Sequence, residues 1–76
     1  MSTLDQLKKI IAKVIHGSEG DIAMATPLKD IKADSLHWVQ IIIAVEGAFN
    51  IEVDVDAMKK FVTIGDFVQY IDKAKK

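Results

Sequence analysis

Cysteine is absent from these 76 residues, so neither disulfides nor thiolate metal sites can help hold the chain together. That composition fits a reducing compartment. Long hydrophobic runs are missing as well: the longest, residues 41–45, is far too short to cross a bilayer. The start of the chain has neither the basic cluster nor the continuous apolar stretch of a signal peptide. A soluble, cytoplasmic protein without membrane insertion is expected. Repeats, linkers and low-complexity segments are also lacking, so residues 1–76 read as a single domain. At this length a core is only just sufficient, yet half the residues are hydrophobic, which argues for a compact fold.

Catalytic machinery is equally scarce. A nucleophilic serine needs a base within hydrogen-bond reach, held in place by a third group. His37 follows Ser35 by two positions, so on a helix it points roughly away. His16 falls at the end of the first helical pattern, with nothing to place it beside Ser35. Two histidines without a ligand cluster do not make a metal site. Both are read as surface residues, with no catalytic residue, no metal ligand and no enzyme expected. Asp54 and Asp56 lack the glycine and glutamate of a calcium loop.

The net charge of −1 is unevenly spread. Residues 1–18 carry Lys8, Lys9 and Lys13 against Asp5, which makes +2. Residues 19–56 hold eight acids against Lys29 and Lys32, which makes −6. Residues 57–76 hold five lysines against Asp66 and Asp72, which makes +3. The acidic middle disfavours nucleic acid and favours basic protein surfaces. A DNA-reading helix needs positive charge, and residues 36–49 have no lysine or arginine. The lysines near the start are a solvated helix face.

What is present centres on Ala33-Asp34-Ser35-Leu36 and the apolar helix they open, expected over residues 36–49. Asp34 is a preferred N-cap, because its carboxylate accepts orphan N–H groups of the first turn. Ser35 then stands at the first helical position, hydroxyl outward, where the helix dipole welcomes an anion. An Asp-Ser helix cap is by itself commonplace, so the tripeptide alone reads as structural. The helix adds to it. At about 100° per residue, Trp38, Ile41, Ile42, Val45 and Phe49 share one broad face. Leu36, Val39 and Ile43 form a second apolar stripe nearly opposite, bordered by Gln40, Glu46 and Gly47. A small chain cannot easily bury both sides, so the second stripe, beside Ser35, is expected to stay open for a partner.

The rest reads as helices around this one. Thr3 with Gln6 makes a capping box for a first helix over about residues 3–16, with Gly17 as its stop. Residues 17–33 form a long connection, pinned by Ile22, Met24, Leu28 and Ile31, with a turn at Thr26-Pro27. Residues 50–56 alternate apolar and acidic, but a lone strand has no partner here. An extended connector is expected instead, with Asp54 or Asp56 capping a short helix through Lys60. Thr63 with Asp66 caps a last helix to about residue 74. The fold class is all-α: a small four-helix bundle of three main helices and one short one.

Taken together, these residues resemble an acyl carrier protein. The set comprises Asp34-Ser35-Leu36, Val39, Ile41 and Glu46, then Phe49-Asn50-Ile51-Glu52-Val53, then Thr63-Ile64-Gly65-Asp66 with Tyr70-Ile71. Each motif is weak, but the ordered set is specific and covers nearly the whole chain. The resemblance implies a right-handed four-helix bundle with 4′-phosphopantetheine on Ser35. It implies attachment from coenzyme A by a phosphopantetheinyl transferase, and acyl cargo held as a thioester. It also implies that the second helix meets acyl-loading and acyl-processing enzymes of fatty acid, lipid or polyketide biosynthesis, the carrier being a monomer. Leu36, Val39, Gln40 and Ile43 would supply the partner contacts, with Glu46 and Glu52 as an acidic rim. Trp38, Ile41, Val45, Phe49 and Phe61 would face the interior, either as plain core or as the lining of an acyl pocket.

The chain also departs from that pattern. His37, Gln40, Gly47 and Ala48 stand where carboxylates are frequent, Lys32 replaces a frequent glycine, and Trp38 replaces a smaller residue. Fewer rim charges imply slower, less salt-sensitive docking on basic partners. A specialised carrier for a dedicated pathway is therefore expected. The alternatives are an aminoacyl or peptidyl carrier, and an unmodified interaction bundle that uses the same apolar stripe.

Overall fold

The computed structural model describes every residue except Met1, Ser18, Lys32 and Lys76, so the expectation attached to Lys32 lies outside the described residues. Four helices follow one another: α1 (Thr3–Ile15), α2 (Ser35–Phe49), the one-turn α3 (Val55–Met58) and α4 (Ile64–Ala74). Two 3-10 turns, Glu19–Asp21 and Leu28–Asp30, punctuate the long α1–α2 connection. The all-α, four-helix expectation holds, short third helix included.

α1 packs against both α2 and α4. Leu7 and Ile11 of α1, Ile41 and Val45 of α2, and Ile64, Phe67 and Ile71 of α4 lose all solvent contact. Ile22 and Ile31 from the long connection and Val53 from the connector after α2 join the same core. That burial is what pins the loops. A further clamp runs between the long connection and the start of α4. Pro27 and Thr63 form an isolated antiparallel bridge. Around it Leu28 N–H donates to the Val62 carbonyl at 2.9 Å and Ile64 N–H to the Thr26 carbonyl at 2.9 Å. Gly65 N–H reaches the Met24 carbonyl at 2.8 Å. A Cβ on Gly65 would stand 3.1 Å from that carbonyl oxygen, so glycine permits the close approach.

Several end signals differ from the sequence reading. α1 is capped by Ser2, whose Oγ accepts Asp5 N–H at 3.1 Å, and not by a Thr3–Gln6 box. Thr3 is drawn elsewhere: its hydroxyl donates to Asp72 Oδ1 and accepts from Lys75 Nζ. Charged partners on α4 outcompete a neutral backbone cap. Lys75 Nζ also sits 5.5 Å over the Phe49 ring, so this cluster ties the ends of α1, α2 and α4 together. The stop of α1 is His16, at φ 56°, one residue before Gly17. Gly17 N–H closes on the Ala12 carbonyl at 2.9 Å, and its missing side chain leaves room for Ile15. The connector after α2 is extended, as expected, and Asp54 caps α3, which ends at Met58.

Candidate functional site

The site is built by the start of α2. Asp34 is the N-cap, and its Oδ1 accepts His37 N–H at 2.9 Å. The cap is doubled, because Asp34 N–H donates back to His37 Nδ1 at 3.3 Å. This is a capping box with histidine where glutamate or glutamine is usual. The sequence reading makes His37 only a surface residue. Its spacing three residues after Asp34 was the available signal for this role. The box fixes the chain entry, and Ser35 follows as the first helical residue with an exposed side chain. Its neighbourhood holds the outward N–H groups that a helix start always leaves.

Beside Ser35 opens a groove of about 430 Å³ between α2 and the α3 region. Its walls are Trp38, Val39 and Ile42 of α2, Val55 and Met58 of α3, and Phe61 with Leu28. Ser35 stands at the rim and Lys59 is the charged residue of the lining. Of the five side chains read as interior pocket, Trp38 and Phe61 line this groove. Ile41 and Val45 do not: both are wholly buried in the bundle core. Phe49 sits at the far end of α2, under Lys75. The groove is largely apolar because its α2 wall is made of Trp38, Val39 and the half-buried Ile42, while Ile41 is turned fully into the core. Phe61 is braced from behind by Phe67 and Tyr70, with ring centroids 5.4 and 5.5 Å away.

The outer stripe of α2 is open. Leu36, Val39 and Ile43 are 64%, 51% and 63% exposed, and Gln40 beside them is exposed. Glu46 is not a free rim charge. Its carboxylate turns to accept Val53 N–H at 2.9 Å, which staples the connector to α2. Its own carbonyl meanwhile takes the N–H groups of Asn50 and Ile51 where Asn50, at φ 56°, ends the helix. Glu52 is exposed, and its carbonyl accepts the Tyr70 hydroxyl at 3.4 Å. Among the described residues no group of acids and histidines could hold a metal ion. Among the same residues no helix is long and apolar enough to cross a membrane.

This geometry has well-defined relatives. Residues 5–71 match the profile of the family described as "Phosphopantetheine attachment site". An acyl carrier protein of Desulforapulum autotrophicum is 40% identical over 75 residues, covering 96% of this chain and 97% of that one. One from Helicobacter pylori is 37% identical, with 99% and 97% covered. The solution NMR structure of a holo acyl carrier protein from Geobacter metallireducens superposes with a TM-score of 0.82 at 28% identity. That superposition covers 97% of this chain and 86% of the other. The chain belongs to the acyl carrier protein family. It is a carrier and not an enzyme, and its cofactor is phosphopantetheine. The residues present suit such a group: an exposed hydroxyl on a rigidly capped helix start, with an apolar groove beside it.

Proposed function

We propose that Ser35 is the attachment point for 4′-phosphopantetheine, transferred from coenzyme A by a separate phosphopantetheinyl transferase. The observation that carries this reading is the position of Ser35, exposed at the first residue of a doubly capped α2 and at the rim of an apolar groove. Ser35 Oγ forms the new bond to phosphorus, the nucleotide half of coenzyme A leaves, and the transferase takes the hydroxyl proton. The attached group supplies a thiol on a flexible arm, which carries acyl cargo as a thioester. The chain's own residues cap the helix, present the hydroxyl and offer a surface to partners.

That surface is the outer stripe, with Leu36, Val39, Gln40 and Ile43 at its centre and Glu52 at its edge. Glu46 borders it but spends its carboxylate on the connector. Apart from Glu46, residues 35–49 carry no acid, lysine or arginine. Docking therefore relies on apolar contact more than on charge, which supports a carrier for a dedicated acyl pathway over bulk fatty acid synthesis. The apolar groove supports acyl cargo over aminoacyl or peptidyl cargo.

Intact mass after incubation with coenzyme A and a broad-specificity transferase tests the assignment. The parent is expected to gain one phosphopantetheine and Ser35→Ala to gain none, with its thermal unfolding unchanged. A parent that gains no mass with several transferases would be an unmodified interaction bundle, and the reading would fail.

A further inference from the structure

The groove contains a feature that apolar shelter does not need. Lys59, on the turn after α3, is the charged member of its lining and faces the same space as Ser35. Its ammonium is weakly engaged: the nearest carboxylate, Asp56 Oδ1, is 3.9 Å away, and both side chains are largely exposed. An exposed pair at that distance holds its lysine loosely. A phosphodiester on Ser35 would bring a permanent negative charge to the opposite rim of this groove. On the α2 side it would meet the carboxylate of Asp34, which repels it. On the α3 side it would meet Lys59, a compact cation with rotatable donors suited to phosphate oxygens.

We propose that Lys59 is a positioning residue for the prosthetic arm. It holds the phosphodiester toward α3, so that the arm lies along the groove against Trp38 and Phe61 and not out in solvent. This rests on attachment at Ser35 but concerns where the attached arm goes. Trp38 is the only tryptophan of the chain, so its emission reports the occupancy of this groove alone.

The experiment compares parent, Lys59→Gln, Lys59→Arg and Lys60→Gln, each in unmodified and modified forms, with intact mass to establish complete modification. The readouts are Trp38 fluorescence and the phosphorus NMR resonance of the phosphodiester. Modification of the parent is expected to change Trp38 emission and place the phosphorus resonance away from that of free phosphopantetheine. Lys59→Gln should cut both differences by more than half. Lys59→Arg and Lys60→Gln should retain them, and salt at about 0.5 M should bring the parent toward Lys59→Gln by screening. Identical signals in modified parent and modified Lys59→Gln overturn the proposal. So does a loss that Lys59→Arg fails to rescue or that Lys60→Gln shares. A parent that gains no mass overturns the attachment at Ser35 instead, so the two failures are distinct.

Discussion

The two sides of α2 are made of the same kinds of residue and meet opposite fates. Ile41 and Val45 are completely buried in the core they share with residues of α1 and α4, while Leu36 and Ile43 stand about two-thirds exposed. Two positions along the helix separate Ile41 from Ile43, or roughly 200° of rotation. Hydrophobicity alone therefore says little about what an isoleucine does in this helix. Its angle to the neighbouring helices decides. The inner residues hold the bundle together, and the outer ones leave an apolar surface beside Ser35 that a monomer gains nothing by exposing.

Substitutions can break this comparison or sharpen it. Ile41→Ala should be the most damaging, at about 2–5 kcal/mol, because it opens a cavity in a core that cannot fully collapse. In a domain of this size that takes a large share of the total stability, about 0.05–0.15 kcal/mol per residue. Ile43→Ala, the same chemical change on the other side, should stay within about 0.5 kcal/mol. Chemical denaturation of the pair measures both. Equal losses would mean that the outer stripe is packed after all.

Gly65→Ala tests the clamp between the long connection and the start of α4. Its new methyl meets the Met24 carbonyl, and a cost of about 1–3 kcal/mol is expected, read as a lowered Tm. Glu46→Ala tests whether that side chain is a staple. Loss of its bond to Val53 N–H should cost about 0.5–1.5 kcal/mol and speed hydrogen exchange at Val53. A pure rim charge would leave both untouched.

The smallest effect belongs to the second capping box, Thr63 with Asp66. The N–H groups of Val62 and Thr63 donate to Asp66 Oδ2 at 2.8 and 3.1 Å. Val62 first and Thr63 second hold its pKa below the ordinary 3.8, against a weaker opposing effect of desolvation. A carboxyl with a lowered folded pKa stabilises the fold above its unfolded value, and that stability is lost as pH falls through the folded value. Parent and Asp66→Asn should therefore differ in stability above about pH 4, and the difference should shrink as pH falls below it, because the parent loses a contribution that the variant never had.

Much of this was legible in the chain. The helical spacing of α1, α2 and α4, the Asp34 and Thr63 caps, the extended connector and the short α3 follow from local rules of period and capping. Errors arose where local rules compete with distant partners. Thr3 is a reasonable N-cap until Asp72 and Lys75 arrive from the other end of the chain. Glu46 reads as a surface acid until the connector folds back and presents Val53 N–H. His37 shows the converse, a local cap whose only signal is its spacing three residues after Asp34.

The amino-acid sequence by itself determined that the chain is helical, where α2 begins, and that Ser35 stands at its first turn, because caps and periodicity act within a few residues. It also determined that α2 has more apolar surface than its neighbours can cover. Only the tertiary structure decided which residues line the groove. The boundary between core and groove is set by which residues of α2, α3 and the segments beside them come together in space. Packing gathers Ile42, Met58 and Phe61 with Trp38 in the groove lining, while Ile41 and Val45 are sealed in the core.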